Sequence, residues 1–147
     1  MNLRLNFGAL KKLKRRLEDA AGSDEYVIEI VSECGEIMLD RVAARTPVDT
    51  GNLRECWEIE TMGKRGFNHF VELGNHAKSE NGVEYLEYVE YGHKQEVGRY
   101  VPELGKRLVK PWVEGQHFVE KTKMEMEEDL PDIIEDLYRK KIEEILQ

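Results

Sequence analysis

Disulfide and zinc frameworks are the first things this chain is missing. It has two cysteines in 147 residues, Cys34 in a helical pattern and Cys56 in a strand pattern. No Cys-x-x-Cys or His-x-x-x-His pair involves them or His69, His76, His93 and His117. The usual spacings of a metal site are therefore absent, and both thiols are expected to be reduced core residues. Long apolar runs are missing too. Residues 26–28 and 30–31 are each ended by a charged or polar side chain, whereas a membrane-spanning helix needs about 20 apolar residues. No apolar stretch of the length a secretory signal requires follows the N-terminal positive charges, so synthesis in a cytoplasm is expected. Gly63-Lys64-Arg65-Gly66 lacks the spacing of a phosphate-binding loop and reads as a hairpin tip. A net charge of −8 argues against nucleic-acid binding along the whole chain, because that affinity comes from neutralising phosphates with Lys and Arg.

What is present describes a chain that folds. A 40% hydrophobic and 35% charged composition with four prolines fits a soluble protein with solvated helices. The length suits one domain with one core, covering residues 1–147. Charge is distributed unevenly. Arg4, Lys11, Lys12, Lys14, Arg15 and Arg16 stand without an acid in residues 1–16, while residues 125–136 hold seven acids and no base.

Leu10, Leu13 and Leu17 recur at spacings of three and four, which predicts a basic amphipathic helix over residues 8–21, ended by Gly22. Ser23 or Asp24 can cap a second helix whose Val27, Ile30, Val31, Cys34, Met38 and Val42 hold one face. Pro47 stops it near Arg45, since proline has no amide hydrogen and pushes Thr46 out of helical geometry. Val48-Asp49-Thr50-Gly51 then reverses the chain, with Asp49 able to bond local backbone and Gly51 able to take positive φ.

Period-two alternation predicts strands over residues 53–61, with Leu53, Trp57 and Ile59 inward, and over 67–75, with Phe67, His69, Val71 and Leu73 inward. Asn81-Gly82 before Val83 signals another hairpin and a third strand. Residues 85–91 suit either a strand or a helical turn. Residues 93–115 lack periodicity and read as a long mobile loop or an extended hairpin. Helices resume from residue 116, with Pro131 in the first turn of a last helix that carries Ile134, Leu137, Lys141 and Ile145 on one stripe. The expected fold class is α+β. An antiparallel sheet of about three to four strands packs on a long helix, divided as a basic N-terminal helix (1–22), a helix-plus-sheet core (23–92), a loop (93–115) and C-terminal helices (116–147).

Three constellations invite a chemical reading. Asp49-Thr50-Gly51 matches the tripeptide in which aspartic proteases pair carboxylates around a shared proton. Here Thr46-Pro47 and a long helix precede it rather than the strand of an all-β chain, and a polar helix-to-strand turn uses the same residues. The basic face of residues 11–16 could serve a small DNA- or partner-binding regulator, or be a solvated helix face. Aromatic area gathers in Tyr85, Tyr88, Tyr91, Tyr100 and Trp112. Tyr85 and Tyr88 are assigned to the core. Tyr100 and Trp112, with Arg99, Lys106 and Arg107 in the same loop, are the candidate subunit contacts. No catalytic, cofactor-binding or metal residue is assigned, and no small-molecule substrate is expected.

Thr46-Pro47-Val48-Asp49-Thr50-Gly51-Asn52-Leu53-Arg54 after a long helix, with Tyr88-Val89-Glu90-Tyr91-Gly92-His93 further on, resembles the HK97-type phage tail-component family. The order helix, first motif, strands, second motif, variable loop and terminal helix fits residues 24–140. His93 stands where threonine is common, and the basic N-terminal helix has no placed counterpart. The resemblance implies a structural virion protein at the neck or tail end, of the tail-completion or head-tail joining kind. It also implies assembly into a homo-oligomeric ring, often a hexamer, beside other neck or tail proteins and close to DNA. Such a protein is made in the host cytoplasm and carried in the virion, and the resemblance brings no catalytic residue.

Overall fold

The computed structural model of the chain describes residues 1–8, 11–48 and 51–147, without the side chains of Ala20 and Ala21. The fold is α+β, and a three-stranded antiparallel sheet lies at its centre. Strands β1 (Asn2–Asn6), β2 (Trp57–Arg65) and β3 (Asn68–Asn75) stand in the order β1-β3-β2. Leu3 pairs with Leu73 and Leu5 with Val71, so the apolar side chains of β1 and β3 share the inward face. Trp57 and Ile59 continue that face on β2, before a bulge between Ile59 and Thr61 shifts the register.

Helix α1 (Lys11–Ala21) packs through Leu17 and the half-buried Leu13; Leu10, expected on the same face, lies outside the described residues. Helix α2 (Glu25–Arg45) lays its predicted stripe on the sheet, and Val27, Ile30, Val31, Cys34, Met38 and Val42 are all buried. Burying a side chain of that size contributes about 1.5–3 kcal/mol. Gly35 allows the close approach, since a Cβ there would sit 2.8 Å from the Cγ2 of Val71. Burial raises the Cys34 thiol to about 12, helped by Glu33, which makes it inert. Both cysteines are free, with Cys56 half-buried.

Helix α5 (Phe118–Leu146) runs antiparallel to α2. Arg41 pairs with Glu125 at 2.9 Å and Asp129 at 2.8 Å, and Arg45 also pairs with Glu125. At the other end Lys141 pairs with Glu29 at 2.8 Å and Glu33 at 3.3 Å. Those carboxylates raise Lys141 to about 12, the Glu29 bond foremost. Ile134 is buried and Leu137, Lys141 and Ile145 are half-buried, as the stripe predicts.

The structure corrects several expectations. The C-terminal region is one helix rather than helices divided at Pro131, because packing and ion pairs on both sides hold α5 through the missing amide bond. The strand expected from residue 53 begins at Trp57, after a short helix α3 (Asn52–Glu55) that buries Leu53. Phe67 sits in the turn between β2 and β3 and is 83% exposed instead of inward. The third strand expected after Asn81-Gly82 shrinks to an isolated bridge between Lys78 and Glu84, and β1 fills that place in the sheet. Residues 1–22 thus begin with a strand before the helix. Residues 86–91 resolve as helix α4 (Leu86–Tyr91). Tyr85 packs on the core, but Tyr88 is 49% exposed, because α4 turns only Leu86 and Glu90 fully inward.

Residues 92–115 form an arm of two short hairpins. Strand β4 (Gly92–Lys94) pairs with β7 (Trp112–Glu114) at the base, and β5 (Tyr100–Val101) pairs with β6 (Lys106–Arg107) at the outer end.

Candidate assembly surface

The two sequence motifs have separate structural jobs. In the first, the Thr46 hydroxyl donates to the Val42 carbonyl at 2.7 Å and accepts from Trp57 Nε1 at 2.9 Å, joining the end of α2 to the start of β2. Pro47 holds Thr46 extended, at φ −63 and ψ 125. Arg54 donates to the carbonyls of Thr46 (3.1 Å) and Ala44 (3.4 Å), which the helix end leaves without amide partners. Gly51 has φ 85, as the turn requires. Asp49 and Thr50, the first two residues of the protease-like tripeptide, lie outside the described residues. An open cleft of about 660 Å³ lies between the motifs, lined by Pro47, Gly51 and Leu53 on one side and by Tyr85 and Val89 on the other.

The second motif anchors the arm. Glu90 is fully buried, and its carboxylate accepts from the amides of Val119 and Glu120, both at 2.9 Å. Those amides are among the unsatisfied donors of the first turn of α5, and the helix dipole favours an anion there. The Glu90 carbonyl also accepts from His117 at 3.1 Å, and the Val89 carbonyl accepts from Gln116 at 2.8 Å. Gly92 has φ 88, and a Cβ on it would collide with the Val113 carbonyl; a Cβ on Gly115 would collide with the Glu90 carbonyl. The base of the arm is thus tied to α4 and α5 by a buried acid and two close backbone approaches. Tyr88 meets His93 edge-on at 5.8 Å and Tyr91 meets His117 at 6.3 Å.

The arm exposes apolar surface along its length. Val97, Tyr100, Leu104, Val109 and Trp112 are exposed, Val109 at 79%. Of the candidate contacts, Tyr100 lies opposite Arg107, and Lys106 sits one pair further along. Leu108 bonds back to the Arg99 carbonyl at 2.8 Å, and Arg107 donates to the Gly98 carbonyl at 2.9 Å. The structure therefore gathers Arg99, Tyr100, Lys106 and Arg107 at one end of the arm. Trp112 pairs with Lys94 at its base. Among the described residues, Lys94, Arg99, Lys106, Arg107 and Lys110 make no ion pair. Sequence reasoning missed Val97, Leu104 and Val109, which lacked a period to assign them, and Glu90, whose only signal was an acid amid apolar residues ahead of Gly92.

The remaining ionisable side chains are ordered by local contacts. His76 bridges Glu84, at 2.8 Å, and Glu60, and the Glu84 bond foremost raises its proton affinity. His69 is buried with neither ring nitrogen hydrogen-bonded. Burial first, and then Lys14 and Lys64, lower its proton affinity against the opposing pull of Asp24. Among the described residues no group of His, Cys, Asp and Glu is arranged to hold a metal ion, and no helix is long and apolar enough to cross a membrane.

Comparison with curated proteins and with solved structures gave no match. A family model described as "Bacteriophage HK97-gp10, putative tail-component" matches residues 10–92, a span that includes the long helix, the Thr46–Arg54 turn and the Glu90–Gly92 anchor. The chain belongs to the HK97-gp10 family of phage tail components.

Proposed function

We propose that this protein is a non-catalytic structural subunit of the tail end or neck, a tail-completion or head-tail joining protein that works by closing into a ring. The observation that carries this reading is the arm. The arm carries five exposed apolar side chains and five cations that make no ion pair among the described residues, on a base fixed by a buried glutamate and two glycines. A lone chain leaves that apolar surface in water, and aromatic and Arg side chains are the types enriched where proteins meet. A ring needs two different patches meeting head to tail with a rotation that closes. The contacts assigned to it are Arg99, Tyr100, Lys106, Arg107 and Trp112. The whole chain acts as one domain whose outer hairpin tightens on docking. Ordering costs about 1–2 kcal/mol per residue, so several contacts per subunit are needed and assembly is cooperative.

The test replaces residues 95–111 by Asn-Gly, a two-residue turn suited to joining Lys94 of β4 to Trp112 of β7. The shortened chain is expected to keep the far-ultraviolet spectrum of a folded protein. Electron micrographs of particles made with it should show heads and tails left unjoined or incomplete. Complete, infectious particles would overturn the reading.

A further inference from the structure

Helix α5 carries a second unusual surface, on the side away from α2. Met124, Glu127, Glu128, Pro131, Asp132 and Glu135 are all exposed and recur at spacings of three and four, so they form one stripe. At 1.5 Å per residue, it is roughly 16 Å long. Among the described residues Glu127, Glu128 and Asp132 make no ion pair, and Glu135 reaches only Arg139 of its own helix, at 3.5 Å. In contrast, Glu125 and Asp129 on the inner flank are occupied by Arg41 and Arg45. The outer stripe is therefore acidic, and its Glu127, Glu128 and Asp132 are without an ion pair among the described residues, with the apolar surface of Met124 and Pro131 between the acids.

The arm has the opposite character: cations that make no ion pair among the described residues, and exposed apolar side chains. Within its own chain, β5 and β6 pack chiefly on each other. We propose that the arm of one subunit docks on the outer stripe of α5 of the next copy. Lys106 and Arg107 would face Glu127 and Glu128, and the apolar side chains of the arm would cover Met124 and Pro131. This rests on the ring reading above and names the partner surface of that site. The two patches differ, as a head-to-tail contact requires. Complementary charge steers such docking and fixes its register, while the apolar contacts hold it.

Charge reversal in the full chain tests the proposal, followed by sedimentation velocity at high protein concentration and by imaging of rings. Lys106→Glu with Arg107→Glu, and separately Glu127→Lys with Glu128→Lys, should each weaken ring formation by about tenfold or more. The four changes in one chain should restore it. As a second readout, Lys106→Cys and Glu128→Cys together, with Cys56→Ser, should give an oxidised ladder that ends at the ring size. The native Cys34 is buried and does not interfere. Rings of the unaltered chain with no ladder, or no recovery on combining the reversals, would overturn the arm-to-stripe contact and leave the ring reading standing. Absence of rings from the unaltered chain, both in solution and in particles, would overturn both.

Discussion

The sheet with its two long helices and the arm with its two hairpins are made of similar residues put to opposite uses. In the first region Leu3, Leu5, Met38, Val42, Val71, Leu73 and Met126 are each at most 1% exposed. In the second, no apolar side chain is fully buried: Val101, Leu108 and Val113 are half-covered, and the rest are exposed. Folding is driven by the first region, since the hydrophobic contribution scales with apolar area removed from water. The arm adds little to it. What holds the arm in place is polar and geometric, the Glu90 bonds to α5 and the two glycine contacts. A surface kept out of the core but fixed in direction suits an encounter with another molecule.

The sharpest way to break the comparison is to cut into the core. Met126→Ala, at the fully buried centre of the α5 packing face, should cost about 2–5 kcal/mol through lost transfer energy and the cavity left behind. Urea denaturation reads this directly, and a loss below about 1 kcal/mol would mean that α5 is not part of the cooperative core.

A smaller effect is expected at the joint between the regions. Glu90→Ala leaves the amides of Val119 and Glu120 without an acceptor in a buried setting, which costs about 1–3 kcal/mol. Glu90→Gln keeps one carbonyl acceptor and should lose less. Hydrogen exchange should show faster exchange at Val119 and Glu120, and unchanged rates there would mean that the acid is not what holds the arm's base.

The legibility of the sequence follows the same division. The α2 stripe and the inward residues of β3 could be read because burial imposes a period, 3.6 on a helix and 2 on a strand. β1 carried the same signal, Leu3 and Leu5 between Asn2, Arg4 and Asn6, but its five residues stand next to the stronger helical repeat of α1. Leu53 fitted a strand by spacing alone. It became helical because the left-handed Gly51 starts a turn of α3 there. Pro131 looked like a boundary because a proline rule is local, whereas the packing that carries α5 through it joins residues far apart in sequence. The arm had no core period to reveal its pairing. The candidate contacts at Arg99, Tyr100, Lys106, Arg107 and Trp112 came from residue type alone, and the buried role of Glu90 depends on a helix that starts almost thirty residues later.

Acidity should separate two histidines that the fold treats in opposite ways. His69 has its folded-state proton affinity lowered by burial and by Lys14 and Lys64, below the ordinary value of 6.5. Its contribution to stability is therefore fully present above that value and is lost as pH falls through the lower folded one. His76 is raised by Glu84 and Glu60, so its contribution is fully present below 6.5 and is lost as pH rises through the higher folded value. Denaturation midpoints across this range should show His69→Phe flattening the acid side and His76→Gln flattening the alkaline side. An acid limb that stays equally steep in His69→Phe would assign it to other groups.

The smallest effect is expected in the arm, where it sharpens the comparison most. Leu104 and Val109 are 59% and 79% exposed. Replacing either by Ser removes mostly solvent-facing surface, with the least covered area lost at Val109, and leaves no polar group unpaired. Surface changes of that kind shift stability by about ±0.5 kcal/mol or less, so the thermal midpoint of Leu104→Ser or Val109→Ser should match that of the unaltered chain. A replacement of equal size inside the core, such as Leu73→Ser, gives the contrast in the same instrument, because it opens a cavity and buries a hydroxyl beside Ile59 and Leu3. If Val109→Ser lowered the midpoint nearly as much as Leu73→Ser, the arm would be folding against the core in solution. Its apolar side chains would then belong to the monomer rather than to a contact with another molecule.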